Sequence, residues 1–324
     1  MTERRYDPTA DEWVTFATHR QDRTYKPPAE GCPLCPTRPG GRLTEVPRPT
    51  YEVVVFDNRY PSFSPEPPSP EVAGSSLYPV APAVGRCEVV VYSDDHDTTF
   101  ADLPPGRARM LVDVWADRAA VLGGEPGVSY VMPFENKGDV IGVTLAHPHG
   151  QIYAYPEVPP RPARELRAAL TYRARTGRCV ECDVVAAEAE GPRVVLAAPT
   201  VIAFVPFWAR FPYEVHVVPR AHRPSLADLD DHERDDLADL MHRLTRGYDR
   251  LFGFSLPYVM AVHARPSGAD RDWDPVSHLH VEFAPPNRAA DKLKYLAGSE
   301  LAGGAFVTDV APERAAARLR EVIV

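Results

Sequence analysis

The sequence predicts an α+β protein built by duplication, with mainly antiparallel sheets and flanking helices. Three observations carry that expectation. Strand-like runs follow one another with a single amphipathic helical run among them in each half, which favours antiparallel α+β over a doubly wound parallel sheet. The same signals recur in the same order in both halves: a C-x-x-C, a lone His followed by A-D-L, a helical stretch, the tripeptide Y-V-M and an H-x-H. The chain, at 324 residues, is too long for one average domain and suits two. The repeated unit is far longer than a solenoid repeat, so two similar domains are expected, over 1–160 and 161–324.

In the first half, "CPLC" (32–35) precedes a strand-like "YEVVVF" (51–56). The Pro-rich run 58–82 follows, and proline excludes it from helices and central strands. It reads as a long surface loop, or as a flap facing substrate. "CEVVVY" (87–92) is a strand with Cys87 as its buried thiol, and "YSDDHDTTFADL" (92–103) brings in His96. Met110, Leu111, Val114, Trp115, Val121 and Leu122 then recur at helical steps, and Gly123-Gly124 ends that run. "VSYVMPF" (128–134) and "IGVTLAHPHGQIY" (141–153) read as strands.

In the second half, "CVEC" (179–182) is followed by "RVVLAAP" (193–199) and "VIAFVPF" (201–207), two strands around a turn at Pro199 and Thr200. "YEVHVVPR" (213–220) is a strand, and the next segment carries His222 and A-D-L. Leu237, Leu240, Met241, Leu244, Tyr248 and Leu251 mark the second helix. "PYVMAVHA" (257–264) and "HLHVEFA" (278–284) close the pattern.

Bulk properties exclude several functions. A net charge of −9 offers no basic face for a phosphate backbone, so nucleic acid is not an expected partner. No stretch approaches the ~18–20 apolar residues of a membrane span. The start, "MTERRYDPTADEW", has no apolar signal core, so a cytoplasmic location is expected.

Four of the five cysteines form the two C-x-x-C pairs. In a reducing compartment such pairs are metal or redox sites more often than disulfides. Each half supplies two thiols and two imidazoles: Cys32, Cys35, His96 and His147, then Cys179, Cys182, His222 and His278. Cys2His2 fills a tetrahedral zinc shell, so two structural zinc sites are expected. "HPHGQ" (147–151) places His147, His149 and Gln151 at alternate positions. On a strand these share one face, ~6.5–7 Å apart. With His147 given to metal, His149 stays free and is held in place, as a positioned nucleophile needs.

"FENKG" (134–138) followed by "HPHGQ" resembles the signature of galactose-1-phosphate uridylyltransferases, a branch of the histidine-triad superfamily in which Gln replaces a third His. The resemblance runs from "RRYDPTADEWV" (4–14) and "HRQDR" (19–23), through "PFWARFPYE" (206–214) and "LFGFSLPY" (251–258), to "PERAAARLR" (312–320). It implies duplicated histidine-triad-like domains and a ping-pong reaction. His149 attacks the α-phosphorus of UDP-glucose, glucose-1-phosphate leaves, and galactose-1-phosphate takes the uridylyl group from the histidine. Gln151 is implied to donate to a phosphate oxygen. Arg20 and Arg23 are implied to meet phosphates, and Asn58 and Asn136 to lie near uridine or phosphates. Thr144 stands where many members have Ser. Lys294 and Glu300 remain from a sugar-contacting segment, with Ser299 in place of Tyr.

"HLHVE" (278–282) lacks the glutamine, so the second half is expected to be catalytically silent. The resemblance also implies a second-metal set at Glu165, His263 and His280, with Glu282 where the family has a third His, to hold iron or zinc. The set Cys179, Cys182, His222 and His278 is favoured as the second zinc. Implied partners are a nucleotide sugar, a hexose-1-phosphate and a second copy of the chain in a homodimer. Two alternatives stay open: an ADP-glucose or UDP-sugar phosphorylase or adenylyltransferase of the same superfamily, and a non-catalytic nucleotide-binding zinc protein.

Overall fold

The computed structural model describes residues 2–323 apart from 24, 269 and 270. The chain opens with a hairpin of β1 (Thr2–Asp7) and β2 (Glu12–Ala17), turned through Asp11 in the left-handed region (φ 58°). After β3 (Val54–Asp57), the Pro-rich run crosses without regular structure until β4 (Val80–Pro82), which pairs at the edge of β1. Proline is tolerated there because an edge strand has backbone groups without ladder partners. Next come β5 (Arg86–Val91), α1 (Pro105–Gly123), β6 (Tyr130–Lys137) and β7 (His149–Tyr155).

The second half begins with α2 (Pro160–Thr176) and α3 (Val180–Glu188), followed by β8 (Val194–Ala197), β9 (Val201–Phe204) and β10 (Val215–Pro219). It continues with α4 (Asp231–Leu251), β11 (Tyr258–His263) and β12 (His280–Ala284). The tail holds β13 (Asn287–Ala289), β14 (Lys292–Leu293), α5 (Gly298–Leu301) and α6 (Pro312–Val322).

Nine strands form one sheet in the order β3-β5-β7-β6-β11-β12-β10-β9-β8, with every neighbouring pair antiparallel. The two Y-V-M strands meet at its centre, with Lys137 opposite Tyr258 and Phe134 opposite Ala261. The duplicated halves are thus related across one hydrogen-bonded seam.

α1 and α4 cover the same side of that sheet. α4 starts on a capping box in which Asp230 accepts from Glu233 N while Glu233 accepts from Asp230 N. All six residues of its predicted stripe are buried. In α1 the buried face is Leu111, Trp115 and Leu122 together with Ala108, Val112 and Ala116. Val121, expected in the stripe, is 48% exposed. Ala108 and Ala116 complete this face, which shares one core with the buried stripe of α4.

The strand expected over 141–153 is shorter than its sequence suggests. Asp139–Ile141 forms a 3-10 turn, Gly142 is left-handed (φ 85°), and the strand begins only at His149. Pro148 has no N–H for a ladder and sets the boundary. His147 therefore lies just outside the strand.

Candidate active site

His149 is the first residue of β7, opposite Val91 of β5. Its Nδ1–H donates to the His147 carbonyl at 2.7 Å, which leaves Nε2 with its lone pair free. Burial lowers the pKa of this imidazole below its ordinary value, so the ring is neutral at pH 7. Gly150 follows because nothing larger fits. A Cβ there would lie 2.2 Å from Tyr92 Oη and 3.0 Å from the Phe134 carbonyl oxygen.

Gln151 returns to the His149 side of the strand. Its Oε1 accepts from Asn58 Nδ2 at 3.2 Å, and Asn58 Oδ1 accepts from the Tyr60 backbone N–H at 2.9 Å. This relay leaves the Gln151 amide N–H groups for a ligand. A cavity beside His149 and Gln151 is lined by Arg20, Arg23, Asn58 and Thr144, as expected, and also by Phe56, Tyr60, Arg42 and Arg59. Arg20 is fixed by hydrogen bonds to Ser62 Oγ and, at 2.9 Å, to Tyr153 Oη. Four guanidinium groups around one small cavity favour an anionic, phosphate-bearing ligand. Asn136 lines a second cavity that reaches His149 from the other side, with Lys137 and Thr98. Lys294 and Glu300 line neither cavity. They pair with each other at 3.0 Å in the C-terminal segment.

Cys32, Cys35, His96 and His147 converge, with their ligand atoms within 4.8 Å of one another, and so do Cys179, Cys182, His222 and His278. Both clusters could hold a metal. In the first, Cys35 Sγ is 3.3 Å from His96 Nδ1 and 3.5 Å from His147 Nδ1. His147 Nε2–H donates to the Ser93 carbonyl at 2.7 Å, which turns Nδ1 to the cluster. Burial holds His147 down to about 4, in the neutral form a metal requires. The second cluster repeats the device. His278 Nε2–H donates to the Pro219 carbonyl at 2.9 Å and His222 Nε2–H to the Asp274 carbonyl at 2.7 Å. Burial and the adjacent Cys32 push the Cys35 thiol up to about 12, and Cys182 is raised likewise by burial and Cys179. A cation between the thiols would reverse both shifts, which is the behaviour expected of a ligand set.

β12 mirrors β7. His280 Nδ1–H donates to the His278 carbonyl at 3.0 Å, as His149 does to His147. The glycine is replaced by Val281 and the glutamine by Glu282. His263 stacks on His280 with ring centroids 4.7 Å apart, and His216 lies on the other side at 5.8 Å. Glu165 Oε2 is 3.2 Å from His263 Nδ1, and Glu282 Oε2 is 3.6 Å from His263 Nε2. All four of these expected residues come together around a third cavity.

Sequence reading missed Arg161, Glu214 and His216, which join this cluster. The Arg161–Glu165 spacing of four on a helix was the available signal. It also missed Tyr51, whose hydroxyl lies 3.1 Å from both the Leu34 carbonyl oxygen and His147 Nε2.

Comparison with known proteins is consistent along the whole chain. Residues 1–159 match the family model of the galactose-1-phosphate uridyl transferase N-terminal domain, and 165–323 match that of the C-terminal domain. A galactose-1-phosphate uridylyltransferase of Thermotoga maritima is 39% identical over 100% of this chain and 99% of its own length. One from Streptomyces lividans is 41% identical over 99% of this chain and 87% of its own. A solved uridylyltransferase structure superposes with a TM-score of 0.87 at 36% identity, covering 99% of this chain and 98% of that one.

Proposed function

Since the chain belongs to the galactose-1-phosphate uridylyltransferase family, we propose that it moves a uridylyl group from UDP-glucose to galactose-1-phosphate by way of His149. Nε2 of His149 attacks the α-phosphorus. The N–P bond forms as the bond to the bridging oxygen breaks, and glucose-1-phosphate leaves. A phosphate oxygen of galactose-1-phosphate then attacks the same phosphorus, the N–P bond breaks, and UDP-galactose departs with the imidazole again neutral.

The observation that carries this reading is the 2.7 Å bond from His149 Nδ1–H to the His147 carbonyl. It fixes the tautomer with Nε2 as nucleophile. It also steadies the positive charge that the ring gains when Nε2 bonds to phosphorus. The Gln151 amide donates to the transferred phosphate, and the Arg20 and Arg23 guanidiniums offset its charge. Gln151 has no titratable proton, so it does not activate water against the intermediate.

The catalytic half is assigned to residues 1–160 and the silent half to 161–324. The two Cys2His2 sets suit structural zinc. Bound there, zinc would supply a tetrahedral staple between distant segments. The first set anchors His147, and through it the start of β7. Lys294 and Glu300 sit on a segment away from His149, which supports a homodimer in which that segment serves the partner's site. Thiolate ligands need a reducing compartment, which supports a cytoplasmic location. No helix among the described residues is long and apolar enough to cross a membrane.

The test is intact mass after brief incubation with UDP-glucose and no acceptor. The reading expects a gain of one uridylyl group on His149, equimolar glucose-1-phosphate, and no adduct in His149→Gly. An adduct only from ADP-glucose would move the substrate to an adenylyl donor. No adduct from any nucleotide sugar would sink the nucleophile assignment.

A further inference from the structure

Beside β12, the ligand atoms of Glu165, His263 and His280 lie within 4.8 Å of one another, and so do those of Glu214, His216 and Glu282. Carboxylates and imidazoles that converge in this way are what a divalent cation binds. The position already contains a cation. Arg161, in the first turn of α2, places Nε 3.1 Å from Glu165 Oε1 and Nη2 2.6 Å from Glu282 Oε1. One guanidinium spans the two carboxylates that a metal would need. We propose that Arg161 is a built-in cation that fills the metal position of this cluster, so that the second half takes up a metal there only when the guanidinium is removed.

The donors show why the two occupants exclude each other. The oxygens of Glu282 already face Arg161, His216 Nε2 at 3.4 Å and His263 Nε2 at 3.6 Å. His280 has committed Nδ1 to a backbone carbonyl, which leaves it only Nε2, 3.8 Å from Glu282. Glu214 spends Oε2 on the backbone N–H groups of Arg210 and Phe211, at 2.7 and 2.9 Å. A metal would have to draw oxygens away from a guanidinium that cannot lose its proton and would repel the ion at contact distance. The Cys2His2 sets differ: Arg38 acts on Cys35 and Arg178 on Cys182 through charge alone, and among the described residues no guanidinium or ammonium hydrogen-bonds to a ligand atom of either set. Arg161 performs the same mechanical task a metal would, since it ties the N-terminus of α2, just beyond β7, to β12.

The test counts metal as a difference between proteins, so its outcome does not depend on how many ions the Cys2His2 sets hold or on whether His149 is the nucleophile. The purified chain, Arg161→Met, Arg161→Lys, His263→Ala and the double variant Arg161→Met/His263→Ala are loaded with zinc or ferrous ion, gel-filtered and analysed for metal per chain. Arg161→Met should gain one equivalent over the parent, and His263→Ala in that background should remove it. Arg161→Lys, which keeps the charge, should gain none. His263→Ala in the parent background should lose none. A parent that loses an equivalent on His263→Ala overturns the proposal, as does a folded Arg161→Met that gains none. Arg161→Gln replaces Arg161→Met if circular dichroism shows the latter unfolded.

Discussion

Gly150→Ala tests how tightly β7, the strand that begins at His149, is held. The new Cβ would stand 2.2 Å from Tyr92 Oη and 3.0 Å from the Phe134 carbonyl oxygen, where ordinary contact begins at 3.4 Å. Tyr92 has no exposed surface, so it cannot retreat, and the Phe134 oxygen belongs to the neighbouring strand β6. β7 must therefore yield by about 1 Å, a displacement of the order that costs roughly 100-fold in rate. Overpacking of this kind also costs about 1–3 kcal/mol of stability. Among the described residues the buried Tyr92 hydroxyl has no hydrogen-bond partner, so Tyr92→Phe alone should be neutral or stabilising. In the double variant the 2.2 Å contact is gone and the nearest atoms are at 3.0 and 3.2 Å, so most of the rate should return. The assays are single-turnover formation of the uridylyl adduct and the urea midpoint. A Gly150→Ala enzyme with the parent's rate and midpoint would refute the steric reasoning, and so would a double variant no better than the single.

Other consequences can be read from the same site. Burial lowers the His149 pKa and only the neutral ring attacks, so adduct formation should stay flat at neutral pH and fall on acidification through a pKa below 6.5; a limb at or above 6.5 contradicts this. Asn58→Ala removes the bond that holds Gln151 and should slow adduct formation about fivefold, for about 1 kcal/mol, with metal content unchanged. If the proposed zinc set anchors the start of β7 through His147, Cys32→Ser should release one metal equivalent, lower the melting temperature and slow the first half-reaction at least tenfold. Cys182→Ser should release one equivalent as well but leave that rate within about twofold, and equal rate losses in the two variants would remove the anchoring argument.

Much of the fold was legible because duplication repeats its own signals. The helices after the two A-D-L segments came from apolar spacing alone, and the paired cysteines pointed to distant histidines. What periodicity could not give was the relation between the halves. A sequence duplicated into two separate sheets and one joined through Y-V-M strands would read alike, since ladder hydrogen bonds carry no side-chain signature. The start of β7 was misjudged because "IGVTLA" has strand composition, yet Gly142 and Pro148 impose a left-handed turn and a missing N–H. His149 and Gln151 were legible from their alternation. Arg42 and Arg59 were not, because they reach the site from loops whose sequences carry no period, and Tyr51 opens the strand-like run 51–56 but lies ahead of β3, which begins only at Val54. Arg161 looked like an ordinary surface arginine until the fold brought Glu282 to it.

The seam between β6 and β11 also bears on how such a chain can diverge. Its strands pair from Lys137–Tyr258 to Phe134–Ala261, so neither half of the sheet presents a bare edge at the centre. Because both halves are translated together, the pairing is intramolecular, and the effective concentration of a short tether, on the order of mM, replaces any need for affinity between free subunits. Whatever its own chemistry, the second copy is a hydrogen-bonding partner that completes the sheet of the first. Its contribution at the seam is made by backbone, so its side chains can differ from the first copy's, and where β7 has Gly150 and Gln151, β12 carries Val281 and Glu282.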